Sequence, residues 1–276
     1  MSSRKAVSRK QRNTESELPA SAVNAQPTTP QPSTTPLQRF VAELLGTLLL
    51  VLFHGGAASS LRMIQSGPTT IVGIAFLALV DGFSLFIIIM IVGKISGVLI
   101  NPAVTIGLAV AGRFPWREVL PYLIAQFMGA TLGATIIIFA MGHEALTLGR
   151  LGAVELGPGV SIWQGALVEA LGTCFLMLTI SATAEDPRSP SGWAPFSIGM
   201  SLTAIVLLFE PITGAPVNPA RVFGPNLLDS LLNVPVNWGI YAVCYLASPI
   251  IGATVATMLY RYIANLPKRK PAPEPD

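Results

Sequence analysis

The sequence predicts an all-α membrane protein: six transmembrane helices plus two re-entrant half-helices, arranged as an inverted internal repeat. Three observations point there. The tripeptide Asn-Pro-Ala occurs at Asn101-Pro102-Ala103 and again at Asn218-Pro219-Ala220. Each copy follows the same frame, Ile95-Ser96-Gly97 or Ile212-Thr213-Gly214 and then three residues. The chain around them is 51% apolar and only 11% charged. A polar, proline-bearing triplet repeated in such a chain is hard to explain by packing. Asn is a preferred N-cap and proline is tolerated in the first helical turn. Each triplet therefore reads as the start of a helix.

The elements follow in order. Residues 1–36 are rich in Ser, Thr, Pro, Gln and basic residues and read as a disordered cytoplasmic tail. They lack the apolar core of a cleavable signal peptide. A bilayer core is crossed by about 20 apolar residues. Six segments qualify, at about 38–58, 70–93, 118–140, 161–183, 194–210 and 237–262. The stretches after the triplets, about 101–111 and 218–229, are too short to cross. Ten residues reach roughly 15 Å, half the core. Two such half-helices meeting tip to tip cover one membrane thickness. The membrane region is 37–264, and residues 265–276 form a second cytoplasmic tail.

Orientation follows from the basic residues. With both termini cytoplasmic, 14 of the 17 Lys and Arg fall inside, and only Arg62, Arg150 and Arg221 fall outside. That is a positive-inside pattern. The net charge of +3 is thus a topology signal and gives no reason to expect a nucleic-acid partner. The protein is expected to be an integral, multi-pass component of the cell membrane.

The chain repeats itself. The first span carries Glu43-Leu44-Leu45-Gly46-Thr47 and the fourth carries Glu169-Ala170-Leu171-Gly172-Thr173. Gly133-Ala134-Thr135 and Gly252-Ala253-Thr254 follow the two triplets. Repeat 1 covers about 37–140 and repeat 2 about 161–264. Three spans per unit force the second copy upside down, which puts the site between the copies near the midplane. Glu43 and Glu169 are expected to be structural buried acids that accept hydrogen bonds from re-entrant backbone.

On the paired triplets, the repeated Glu-x-x-Gly-Thr, and the run Asn218-Pro219-Ala220-Arg221-x-Phe223-Gly224-Pro225, the chain resembles the major intrinsic protein family, the aquaporins and aquaglyceroporins. The resemblance implies an aquaporin-like fold, one pore per subunit, a homotetramer, and passage of water or small neutral solutes without ions or protons. It implies pore roles for Asn101, Pro102, Ala103, Asn218, Pro219 and Ala220. By spacing, its selectivity constriction falls on Asp81, Val206, Ala215 and Arg221. An acid at the first position departs from the family. A charge in an apolar span is a functional-site hypothesis by default, and its expected partner is Arg221. Two alternatives stay open: Asp81 as a paired residue between helices, or a shifted register that brings Phe76 to the pore.

Other markers divide. Val222 follows Arg221 where glyceroporins usually have Asp and water channels Ser. The choice between water and glycerol-like solutes therefore stays open. Cys174 and Cys244 lie in separate spans, and no His/Cys cluster suggests a metal; no cofactor, metal or catalytic residue is expected. His54 and His143 are isolated and lean structural. A secondary transporter would need a coupling-ion site, and an adhesion protein would need larger outer loops than 59–69 and 141–160.

Overall fold

The computed structural model describes residues 34–65, 67 and 69–265. The expected tails, 1–36 and 265–276, lie almost wholly outside the described residues. The helices are α1 (Pro36–Ile64), α2 (Ile71–Ser96), α3 (Pro102–Val110), α4 (Trp116–Met141), α5 (His143–Thr147), α6 (Ile162–Glu185), α7 (Ala194–Thr213), α8 (Pro219–Leu231) and α9 (Trp238–Ile263). Among the described residues, α1, α2, α4, α6, α7 and α9 are long and apolar enough to cross a membrane. The half-helices α3 and α8 have 9 and 13 residues.

Local signals explain most boundaries. The first helix of each repeat opens with a capping box. Thr35 accepts from Gln38 N while the Gln38 side chain accepts from Thr35 N, and Ser161 and Gln164 do the same. The helices that feed the re-entrant loops, α2 and α7, stop at Gly97 and Gly214 in the left-handed conformation, with φ of 83° and 75°. Trp116, Trp163 and Trp238 sit at helix starts and Trp193 just before one, where an interfacial ring belongs. One end differs from expectation. Helix α1 runs past residue 58 to Ile64, because its last turns pack on a second element. Ser59 Oγ and Arg62 Nη1 both donate to Gly149 O, at 3.4 and 3.2 Å.

The crossing helices pair through small residues. A Cβ on Gly133 of α4 would lie 2.6 Å from Leu48 O of α1. Gly252 of α9 packs in the same way on the Ala170 backbone of α6, the equivalent pair of the other repeat. Between the repeats, α2 meets α7 at two glycines. A Cβ on Gly199 would lie 2.5 Å from Gly82 O, and one on Gly82 would lie 2.7 Å from Gly199 O. This contact sets the position of Asp81. Gly199→Ala must push backbone against backbone, and overpacking of this kind costs about 1–3 kcal/mol or more. A lowered melting temperature of the detergent-solubilised protein is the expected result. Unchanged melting would mean that α2 and α7 part without cost.

Candidate functional site

The site is built by two loops, residues 97–100 and 214–217. In each, alternate residues take left-handed backbone: Val98 and Ile100 at φ of 50° and 38°, and Ala215 and Val217 at 46° and 41°. Such positions cost about 1–3 kcal/mol each for residues with a Cβ. They persist because buried acceptors hold the N–H groups. Glu43 accepts from Leu99 N at 2.9 Å, Ile100 N at 2.6 Å, Ser96 Oγ at 2.7 Å and Gln126 Nε2 at 2.8 Å. Glu169 accepts from Thr213 Oγ1 at 2.6 Å and Val217 N at 3.1 Å. Both acids are fully buried. With the N–H groups of Leu99 and Ile100 turned to Glu43 and that of Val98 to Ser96 Oγ, the carbonyls of Gly97, Val98 and Leu99 accept from no described residue.

The loops end at the two triplets. Asn101 Oδ1 caps α3 by accepting from Ala103 N at 2.9 Å. Asn218 Oδ1 caps α8 by accepting from Ala220 N at 3.0 Å and Arg221 N at 3.3 Å. The amide groups cross between the repeats. Asn101 Nδ2 donates to Val217 O, and Asn218 Nδ2 donates to Ile100 O, both at 2.9 Å. Pro102 and Pro219 open the half-helices, with Ala103 and Ala220 fully buried behind them. The two helix N-termini therefore meet at one point.

A cavity of about 630 Å³ leads to that point. Its mouth is lined by Lys94, Glu185 and Gly192, on the side that carries Pro36 and Ile263. Its deep end is lined by Asn101, Asn218 and His54. The segment beside the mouth is pinned. Arg188 grips Asp186 at 2.6 Å and Tyr260 donates to the same oxygen at 2.9 Å. Hydrogen bonds from the Arg188 side chain and backbone hold the Asp186 carboxyl well below the usual carboxylate range.

Beyond the deep end the four residues chosen by spacing are all buried: Asp81, Val206, Ala215 and Arg221. None of them lines the cavity. Phe76 is 44% exposed on the outer face of α2, so the register that would bring it to the pore is ruled out. The expected Asp81–Arg221 ion pair is also not formed. Arg221 Nη1 instead donates to Gly152 O at 2.6 Å, a carbonyl presented by a turn with left-handed Leu151. The partner nearest to Asp81 is His54, whose Nδ1 lies 3.7 Å from Asp81 Oδ1. From sequence alone His54 reads as structural; the signal for a role is an ionisable residue inside an apolar helix. Gln126, Tyr122 and Tyr245 also serve the loops, which no sequence pattern here indicates. The two tyrosines donate to Ser96 O and Thr213 O at the entrances of the loops.

Residues 31–260 match the family described as major intrinsic protein. The chain belongs to the major intrinsic protein family. This family member is 41% identical to the aquaporin AqpM of Methanothermobacter marburgensis over 241 residues, which is 83% of the chain and 98% of the relative. It is 44% identical to the probable aquaporin AqpM of Archaeoglobus fulgidus, over 83% and 97%. A solved aquaglyceroporin from Plasmodium falciparum shares the fold with a TM-score of 0.74, at 23% identity over 83% of this chain and 97% of that one. Six membrane-crossing helices and this membership make the protein an integral, multi-pass membrane channel of the aquaporin type.

Proposed function

We propose that the protein is a passive channel for water and small neutral solutes that excludes ions and protons. One observation carries the reading. At the deep end of the cavity, two Asn amides stand together, and each spends one N–H on the opposite repeat. An Asn amide has two N–H groups, so each keeps a second one for a passing molecule. The unclaimed carbonyls of residues 97–99 supply acceptors on the way in. Water moving along them exchanges hydrogen bonds instead of losing them. The converging N-termini of α3 and α8 and the buried Arg221 oppose cations and protons there.

Asp81, Val206, Ala215 and Arg221 form the selective narrow part in this reading. The basic residues support cytoplasmic termini: Arg39, Lys94, Arg113, Arg117, Arg188 and Arg261 share the side of Pro36, whereas Arg62 and Arg150 lie opposite. A homotetramer in the cell membrane follows from the family resemblance. A glycerol or small-solute facilitator with poor water selectivity is the second reading, favoured by the small Val206 and Ala215 side chains. Stopped-flow shrinkage of proteoliposomes separates the two. Faster shrinkage than in empty vesicles is expected under a sucrose gradient. Rapid re-swelling under a glycerol gradient would add the solute. Shrinkage no faster than in empty vesicles would sink the water-channel reading.

A further inference from the structure

His54 stands between the cavity and the outer cluster, and the proposed function gives it no task. It is 4% exposed. Its Nε2 lies 2.9 Å from Ser84 Oγ and 3.2 Å from the Asp81 carbonyl oxygen. Its Nδ1 lies 3.7 Å from Asp81 Oδ1. That carboxylate oxygen is buried and has no hydrogen-bond partner. The Ser84 hydroxyl is within 3.2 Å of the Asp81 carbonyl oxygen.

The ring can carry its proton in two ways when neutral. With the proton on Nε2, a bare Nδ1 lone pair lies 3.7 Å from the Asp81 carboxylate. With the proton on Nδ1, the N–H points at the carboxylate, and Nε2 accepts from the Ser84 hydroxyl. A doubly protonated ring also keeps Nδ1–H, and its Nε2–H finds Ser84 Oγ and the Asp81 carbonyl in place. Opposing two buried acceptors is costly, so beside an ionised Asp81 the favourable arrangements are those with a proton on Nδ1, where the Ser84 hydroxyl can serve Nε2.

We infer that His54 is a positioning residue for Asp81. Its Nδ1–H holds the carboxylate toward α1 and away from Arg221. Asp81 and Arg221 carry opposite charge in one buried region, where attraction is weakly screened. Yet Arg221 spends its Nη1 on Gly152 O and the two stay unpaired. Without the His54 contact, the carboxylate is free to cross to Arg221 and close the gap between them. This last step rests on the proposal that water passes between these two side chains.

Two measurements test the inference separately. The sequence has 2 histidines, and His143 is exposed at the start of α5. Nitrogen NMR of the ring-labelled protein therefore reads His54 cleanly. A protonated Nδ1 is expected in the unmodified protein, with a switch to Nε2–H in Asp81→Ala, where only Ser84 Oγ and the carbonyl of residue 81 remain as acceptors. A bare Nδ1, or one tautomer in both proteins, overturns the contact. In proteoliposomes, His54→Leu should lower water permeability per channel several-fold. His54→Asn, which can keep an N–H toward Asp81, should restore most of it. On the Asp81→Ala background, His54→Leu should cost nothing further. Equal losses on both backgrounds would make His54 a packing residue and overturn the inference. If the unmodified protein passes no water, the proposed function fails, and the NMR result still decides the His54–Asp81 contact.

Discussion

Glu43→Leu is expected to prevent accumulation of the folded channel. The carboxylate is fully buried and accepts from Ser96 Oγ, Leu99 N, Ile100 N and Gln126 Nε2. Leucine fills similar space and satisfies none of them. A buried donor left without a partner costs about 1–3 kcal/mol. Ser96 Oγ, Leu99 N and Ile100 N lose this partner outright and Gln126 Nε2 keeps only Thr105 Oγ1, a loss comparable with the whole net stability of about 5–15 kcal/mol typical of a domain. The left-handed Ile100 also loses the acceptor that holds it. Glu169→Leu should be milder. Among the described residues its carboxylate serves two donors: Pro216 has no N–H where Leu99 has one, and no side-chain amide reaches it as Gln126 reaches Glu43. Melting of the detergent-solubilised variants gives the comparison. The expected order is Glu43→Leu below Glu169→Leu below the unmodified protein. Equal melting of the two variants would show that the donor count does not govern loop stability.

That asymmetry also shows where the sequence was legible. The repeated Glu-x-x-Gly-Thr located both acids, and the triplets located both half-helix starts. Apolar length located all six crossing helices, because a bilayer core sets a length that composition can meet or miss. The capping boxes at Thr35 and Ser161 are legible as [ST]-x-x-Gln. What escaped was chemistry made by contacts distant in sequence. His54 is isolated in its own helix, and nothing local says that Asp81 and Ser84 will face it from α2. The expected Asp81–Arg221 pair rests on the spacing of the family's constriction and on opposite charge. Charge could not reveal that the turn at residues 150–152 would offer Arg221 a carbonyl. Gln126 bridges Glu43 and Thr105 Oγ1, a link with no local sequence signature. The register of α2 was left between Asp81 and Phe76 because an apolar helix gives little periodicity to choose by. The glycine contact between Gly82 and Gly199 makes the choice.

Asn218→Asp is expected to turn a channel for neutral molecules into one that leaks cations. Asn218 does two things through two atoms. Its Oδ1 caps α8 on Ala220 N and Arg221 N, and its Nδ2 donates to Ile100 O. Asp keeps the cap, which is worth about 1 kcal/mol, so the half-helix should stay in place. It loses the N–H group and puts negative charge at the point where two helix N-termini converge. That charge offsets the positive field that opposes cations. It also sets an oxygen against the Ile100 carbonyl. Asn218→Leu removes cap and donor together, so water permeability should fall and Arg221 N is left unpaired. Asn101→Asp should leak at least as much, because its Oδ1 caps one N–H and Val104 follows its triplet where Arg221 follows the other, so less positive charge offsets the new carboxylate. Water permeability by vesicle shrinkage and proton entry by an entrapped pH dye measure both effects. Undiminished water flux in a correctly assembled Asn218→Leu protein, or a proton leak in Asn218→Asp no greater than in the unmodified protein, would place the barrier somewhere other than the meeting point of α3 and α8.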